Sequence, residues 1–234
     1  MNLTDAVALV AGASGDIGRA ISFDLLAAGA EVFMLGRSMA RLVHVPPPEG
    51  VREKCHFIAA DLTDGDAITR VKAEIGSRGR LDVLVLSSGT YERSQEPMVF
   101  ASQIAANLIG PYALLQQLLP MLIEAQGQIV FVNSSQALRA TAGIGQYAAT
   151  KHAMKAVADS LRDEVNANGV RVVSLFLGRT ASERQRGIFA AEGRPYPPER
   201  LIQPADVAGL VLFLLRLPRT SEVTDIMLRP MQKT

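Results

Sequence analysis

Residues 6–11, Ala-Val-Ala-Leu-Val-Ala, break into the turn Gly12-Ala-Ser-Gly15-Asp-Ile-Gly18 and resume as the amphipathic stretch Arg19-Ala-Ile-Ser-Phe-Asp-Leu-Leu. An aliphatic run, a cluster of glycines and then helical periodicity read as strand, turn and helix. The alternation recurs along the chain, with strands expected near residues 6–11, 31–35, 56–59, 82–86, 128–133, 170–177 and 225–229 and helical patterns between them. Near-continuous apolar strands are buried on both faces. The expected fold class is therefore α/β: a doubly wound parallel sheet of about seven strands with helices on both faces and right-handed crossovers. Ligands bind such sheets at the carboxyl ends of the strands, beside the point where strand order reverses. The glycine turn, Asp61, Gly89, Ser134 and Gly178 all fall at such ends.

Length and composition fit this reading. With 234 residues and 48% apolar content, the chain can bury a full core, and residues 1–234 are expected to form a single domain. The run Val45-Pro-Pro-Pro-Glu-Gly50 falls between the second and third strands, where a loop belongs, and no repeat interrupts the pattern. A net charge of +1 without a basic stripe gives no reason to expect nucleic acid or a membrane surface as partner. The apolar stretch 207–215 is far shorter than the roughly 20 residues that cross a bilayer, and it reads as a buried helix. No basic region precedes the first apolar run, so a cytoplasmic location is expected. Cys55 is the single cysteine and reads as a buried, inert thiol. His44 and His56 lack partners at ligand spacing, so no metal is expected, and His152 reads as a surface or packing residue.

Three features carry chemistry. Glycines 12, 15 and 18, with Ser14, Asp16 and Ile17 between them, let a backbone approach a pyrophosphate closely and open a helix whose free amides favour an anion. About 20 residues further on, an NAD site would place an acid for the ribose hydroxyl. Here Gly36-Arg37-Ser38 has no acid between Glu31 and Glu49, and Arg37 offers a planar fork to a 2'-phosphate, so NADP(H) is preferred and NAD(H) remains possible. Tyr147 and Lys151 stand four residues apart in a helical pattern and share a face, where an ammonium lowers the pKa of a phenol.

Together these residues resemble the short-chain dehydrogenase/reductase family in its compact single-domain branch, and the resemblance covers nearly the whole chain. The family implies a Rossmann-type fold and hydride transfer between nicotinamide and a carbonyl or alcohol carbon of a small substrate. By resemblance, Asp61-Leu62 contacts adenine, Asn107 anchors a water that connects Lys151 to solvent, and Lys151 also holds the nicotinamide ribose. The family's serine stands thirteen residues before its tyrosine, which selects Ser134 over Ser135 as the hydrogen-bond donor to the reacting oxygen. Tyr147 becomes the acid and base. Ser88, Gly89, Gly178 and Thr180 correspond to further cofactor contacts, and the family implies a homodimer or homotetramer, for which the apolar stretch 114–123 is a candidate surface.

Some positions depart from the family pattern. Ala11 replaces a threonine, Asp16 a glycine, Leu86-Ser-Ser-Gly89 an Asn-Asn-Ala-Gly, and Leu177-Gly178 a Pro-Gly. Two other functions use the same scaffold: a regulator that senses NADP without turnover, and a non-redox epimerase or dehydratase. The first need not keep Asn107, Ser134, Tyr147 and Lys151 together, and the second usually carries a longer substrate region. Residues 181–200 combine a short helical pattern with two glycines and three prolines, and are expected to form a mobile lid. In it Ile188, Phe189 and Tyr196 are candidates for apolar substrate contacts. Arg184, Arg186 and Arg194 are candidates for an anion, or simply solvated.

Overall fold

The computed structural model describes residues 1–232. Its centre is one seven-stranded sheet, all parallel, in the order β3-β2-β1-β4-β5-β6-β7. The strands are β1 (Val7–Ala11), β2 (Glu31–Gly36), β3 (Cys55–Ala59), β4 (Val83–Leu86), β5 (Gln128–Ser134), β6 (Arg171–Leu177) and β7 (Asp225–Leu228). Each lies within a residue or so of its sequence expectation. Between them run α1 (Asp16–Ala27), α2 (Met39–Val43), α3 (Gly65–Gly76), α4 (Pro97–Ile104), α5 (Gly110–Glu124), α6 (Gly145–Val165), α7 (Glu183–Ala191) and α8 (Pro204–Arg216).

Alternation along β1 shows why helices must cover both faces. Val7, Leu9 and Ala11 enter one core with Val71, Leu118 and Leu161 of α3, α5 and α6. Ala8 and Val10 enter the other, with Leu25 of α1 and Val211 of α8. Every residue of β1 is buried. Successive side chains point to opposite faces of a strand, so an all-apolar strand forces a two-sided sheet. Chain order reverses between β1 and β4, and both strands end at the same rim.

Helices α4 and α5 join through a π-helical turn, Ala105–Ile109, into one helix from Pro97 to Glu124 that is long and apolar enough to cross a membrane by composition. Its inner stripe, Leu114, Leu115, Leu118 and Leu122, is fully buried in the sheet core. Met98, Ile109 and Tyr112 are exposed. The stretch 114–123 therefore serves the core first. Within 207–215, Val207, Ala208, Val211, Leu214 and Leu215 are buried as expected, while Phe213 points outward.

The bland readings of the remaining singular residues fit their surroundings. His152 Nδ1 lies 2.9 Å from the Ala148 carbonyl one turn back. His56 pairs with Glu31 across neighbouring strands at 2.7 Å and stacks on Phe33. Cys55 is half-buried, not fully buried as expected, yet that burial pushes its thiol up to about 11, which leaves little thiolate at neutral pH.

Candidate active site

A cavity of about 600 Å³ opens along the carboxyl ends of the strands, from Arg37 and Asp61 at one end to Tyr147 and Arg184 at the other. Its floor is the glycine turn. Gly12 has φ +89°, and a Cβ there would lie 2.6 Å from the backbone of Ser87 and Ser88, so only glycine lets β1 and β4 close up at this point. A Cβ on Gly18 would collide with the Gly12 carbonyl. Gly15 caps α1 without a side chain, which leaves the first amides of the helix facing the cavity. The Asp16 carboxylate is turned toward the far wall, where it accepts the Glu183 amide at 3.0 Å. These are the features a pyrophosphate needs, and Ser88 Oγ, buried without a hydrogen-bond partner among the described residues, adds an unused polar group to the same wall.

At the rim, Arg37 lies beyond the end of β2 near Asp61, whose carboxyl is held below its ordinary value first by the Thr63 amide and also by the Thr63 hydroxyl and the Arg37 charge. Asp61 accepts from Thr63 N at 3.0 Å and from Thr63 Oγ1 at 2.8 Å. Leu62 lies beneath, because Gly110 lets α5 approach its backbone; a Cβ there would lie 2.9 Å from the Leu62 carbonyl carbon. The Gly178 Cα is crowded by the chain after β7, with Pro230 Cδ 3.1 Å from the position of a Cβ. Thr180 Oγ1 donates to the Gly178 carbonyl at 3.2 Å and lines the cavity.

The candidate catalytic residues meet where β5, α6 and the π turn converge. Ser134 ends β5, its Oγ accepts the Gln136 amide at 3.2 Å, and its hydroxyl is close enough to Tyr147 to act on the phenol. Tyr147 and Lys151 share one face of α6, with Lys151 Nζ 5.7 Å from the centre of the Tyr147 ring. Both are buried, at 9% and 6% exposure, and Tyr91 packs edge-on against the phenol ring at 5.0 Å. Burial raises the Tyr147 pKa, opposed by the Arg184 guanidinium and by Ser134. Burial, aided by Arg184, pushes Lys151 down to about 8.

The sequence suggested that Lys151 would be the charge lowering Tyr147. In the structure Arg184 adds a pull that the sequence did not suggest, and Lys151 lies against the ring face.

Asn107, 1% exposed, is bound on every side. Oδ1 accepts Thr90 N at 2.6 Å, and Nδ2 donates to Thr90 O at 2.9 Å and to Thr150 Oγ1 at 3.1 Å. A Cβ on Gly89 would lie 3.0 Å from Asn107 Oδ1 and 3.6 Å from Lys151 Nζ. Asn107 thus fixes the strand end beside the lysine, and the π turn places its side chain inward.

A family model described as short chain dehydrogenase matches residues 6–193. This chain is a member of the short-chain dehydrogenase/reductase family. Among curated relatives of the family, an uncharacterized short-chain type dehydrogenase/reductase of Sinorhizobium fredii is 31% identical over 233 residues, covering 96% of this chain and 91% of the relative. An uncharacterized oxidoreductase of Staphylococcus epidermidis is 29% identical, covering 96% of each chain. Solved structures of the family superimpose closely. A metagenomic short-chain oxidoreductase in complex with NADP has a TM-score of 0.82 at 28% identity over 100% of both chains. The alcohol dehydrogenase of Thermococcus sibiricus, complexed with 5-hydroxy-NADP, reaches 0.81 at 25% identity over 98% of both chains.

Sequence reasoning missed Arg93, Arg179 and Glu192, which line the same cavity. Arg93 and Arg179 both reach Glu192, at 2.9 and 3.2 Å. Arg179 stood in view between Gly178 and Thr180, but Arg93 and Glu192 are 99 positions apart, and nothing in the sequence joins them. Of the candidate apolar contacts in 181–200, only Ile188 lines the cavity. Phe189 is buried against Arg179, Arg194 and Tyr196, because the helix turns that face toward its own supporting loop. Arg186 lies over Tyr196, and Arg184 crosses the cavity mouth to donate to the Gly89 carbonyl.

Proposed function

We propose that the protein is an NADP(H)-dependent oxidoreductase that interconverts a carbonyl and an alcohol on a small organic molecule, with residues 1–234 acting as one domain. The observation that carries the reading is the meeting of Ser134, Tyr147 and Lys151 in the cavity that also holds the glycine turn and Arg37. A non-catalytic NADP sensor would have no use for that grouping. A bound nicotinamide would supply or accept the hydride.

In reduction, Ser134 polarises the substrate oxygen and Tyr147 gives it a proton. The raised pKa of the phenol keeps that proton in place through neutral pH. In oxidation the same pair receives the proton, and the positive charges of Arg184 and Lys151 favour its leaving. Lys151 and Tyr147 would hold the nicotinamide ribose, glycines 12, 15 and 18 the pyrophosphate, Asp61 and Leu62 the adenine, Arg37 the 2'-phosphate, and Thr180 the carboxamide. Asn107 keeps Gly89 and Lys151 in register, and the backbone of its π turn is the candidate path to water. The exposed Met98, Ile109 and Tyr112 suit an oligomeric contact, and a cytoplasmic location suits the cofactor.

The test is Tyr147→Phe, assayed by NADPH oxidation over a panel of carbonyl compounds. The kcat should fall by a factor of at least about 100, while NADPH affinity stays nearly unchanged. Retention of more than a small fraction of the rate on any confirmed substrate would remove Tyr147 as the acid.

A further inference from the structure

The reading above leaves the substrate unnamed, and the inference here rests on that reading. We infer that the substrate is a small acid, whose anionic group is held between Arg184 and Arg179 while its carbonyl or hydroxyl reaches Tyr147.

The substrate end of the cavity is rich in guanidinium groups. Arg93, Arg179 and Arg184 line it, and Glu192 is the carboxylate facing them. Glu192 also takes Arg194, at 3.0 Å, so its charge is divided among three arginines. The other acids of this wall are committed elsewhere. Asp16 accepts the Glu183 amide, and Glu183 itself pairs with Arg186 at 3.3 Å. A surplus of positive charge therefore surrounds the space beyond Tyr147.

Two of these arginines have capacity for a further acceptor. Arg184 makes its hydrogen bond to a neutral partner, the Gly89 carbonyl, and its charge is near enough to act on both Tyr147 and Lys151. Arg179 gives Nη2 to Glu192, while its Nη1 is buried with no hydrogen-bond partner among the described residues. A buried donor left unsatisfied is costly, and a planar carboxylate meets a guanidinium fork in two parallel bonds. Arg179 is held in place by stacking on Phe189 at 4.6 Å, which pre-positions its unpaired Nη1. Ile144, Ile188 and the Tyr91 ring add apolar surface to the same cavity, enough for the short carbon skeleton of a small acid.

The experiment titrates malonate, and separately inorganic phosphate, into the enzyme–NADP+ complex at constant ionic strength, read by calorimetry. Saturable binding of either is expected, weakened at least tenfold by Arg184→Gln and by Arg179→Gln with NADP+ affinity retained. The stronger of the two probes tells a carboxylic from a phosphorylated acid. Absence of saturable binding, or equal binding in both variants, overturns the inference. A loss of NADP+ affinity in Arg184→Gln with anion binding intact would assign Arg184 to the cofactor and overturn it too. Turnover is measured in parallel on oxo acids and their methyl esters. Esters reduced as well as the acids would remove the acidic substrate and leave the oxidoreductase standing. Anion binding without reduction of any carbonyl would do the opposite.

Discussion

The Asp16 carboxylate accepts the Glu183 amide at 3.0 Å, joining the glycine turn to the first residue of α7. Both partners are in first turns, so one carboxylate lies at the positive ends of two helices. The bond is exposed and should contribute about 1 kcal/mol to holding α7 against the glycine turn. Asp16→Ala is expected to speed exchange of the Glu183 amide about fivefold, which is that energy expressed as a ratio. Asp16→Asn, which keeps an acceptor oxygen, should exchange close to the wild-type rate. Equal exchange in all three proteins would show that the contact carries no energy.

Lys151 should cost the cofactor-free protein stability. Its pKa falls from 10.5 to about 8 on folding, because burial and Arg184 disfavour the ammonium. The unfolded chain therefore binds the proton more tightly, and stability rises with pH from about 8 to 10.5 as the folded state releases it first. Below pH 8 the penalty is at its full size, about 3 kcal/mol. Lys151→Met should thus be inactive yet more stable than wild type at pH 7 by up to that amount, with the advantage shrinking toward pH 10.5. Urea unfolding across this range checks both the sign and the window. A less stable Lys151→Met at pH 7 would mean that the ammonium is well solvated or paired.

Arg37 stands at the rim of the cavity near Asp61, and no acid falls between Glu31 and Glu49. A charge-assisted bond to a 2'-phosphate contributes about 1.5 to 3 kcal/mol, or roughly ten- to a hundredfold in affinity. Arg37→Ala should weaken NADP binding by that factor and leave NAD nearly untouched. Equal losses for both cofactors in titration calorimetry would exclude recognition of the 2'-phosphate.

Strands β1, β2, β4, β5 and β6 were legible because each is a short, mostly apolar run buried on both faces, as Val83–Leu86 shows, whereas the edge strands β3 and β7 are only partly covered and rest on their place in the alternation. The grouping of Ser134, Tyr147 and Lys151 was legible because α6 fixes Tyr147 to Lys151 and the segment after β5 brings Ser134 to Tyr147. The π turn at Ala105–Ile109 was not, since its residues suit an ordinary helix and only Thr90, brought near by the fold, draws Asn107 inward. The arginines around Glu192 were hidden for a similar reason. Each is an ordinary charged residue of a loop or helix end, and their meeting depends on how three segments close over the sheet. Local pattern also left undecided which face of α7 turns inward, because Ile188 and Phe189 are adjacent and only one can face the cavity.

Residues 181–200 form the remaining wall, and their packing divides them into an anchored half and a movable half. Phe189, 1% exposed, is fixed between Arg179 and Arg194, whereas Glu183 and Arg184 reach across the cavity through single hydrogen bonds to Asp16 and Gly89. Such contacts open at small free-energy cost, and opening would admit cofactor and substrate before closure excludes water. We predict that amides of 183–188 exchange fastest in the free protein, more slowly with NADPH, and slowest with NADPH and malonate together, while Phe189 and Ala190 change least. Hydrogen exchange read by mass spectrometry in the three states makes the comparison. Equal protection of 183–188 in all three would make this segment a fixed wall, and substrate would then have to enter past Tyr91 and Arg93.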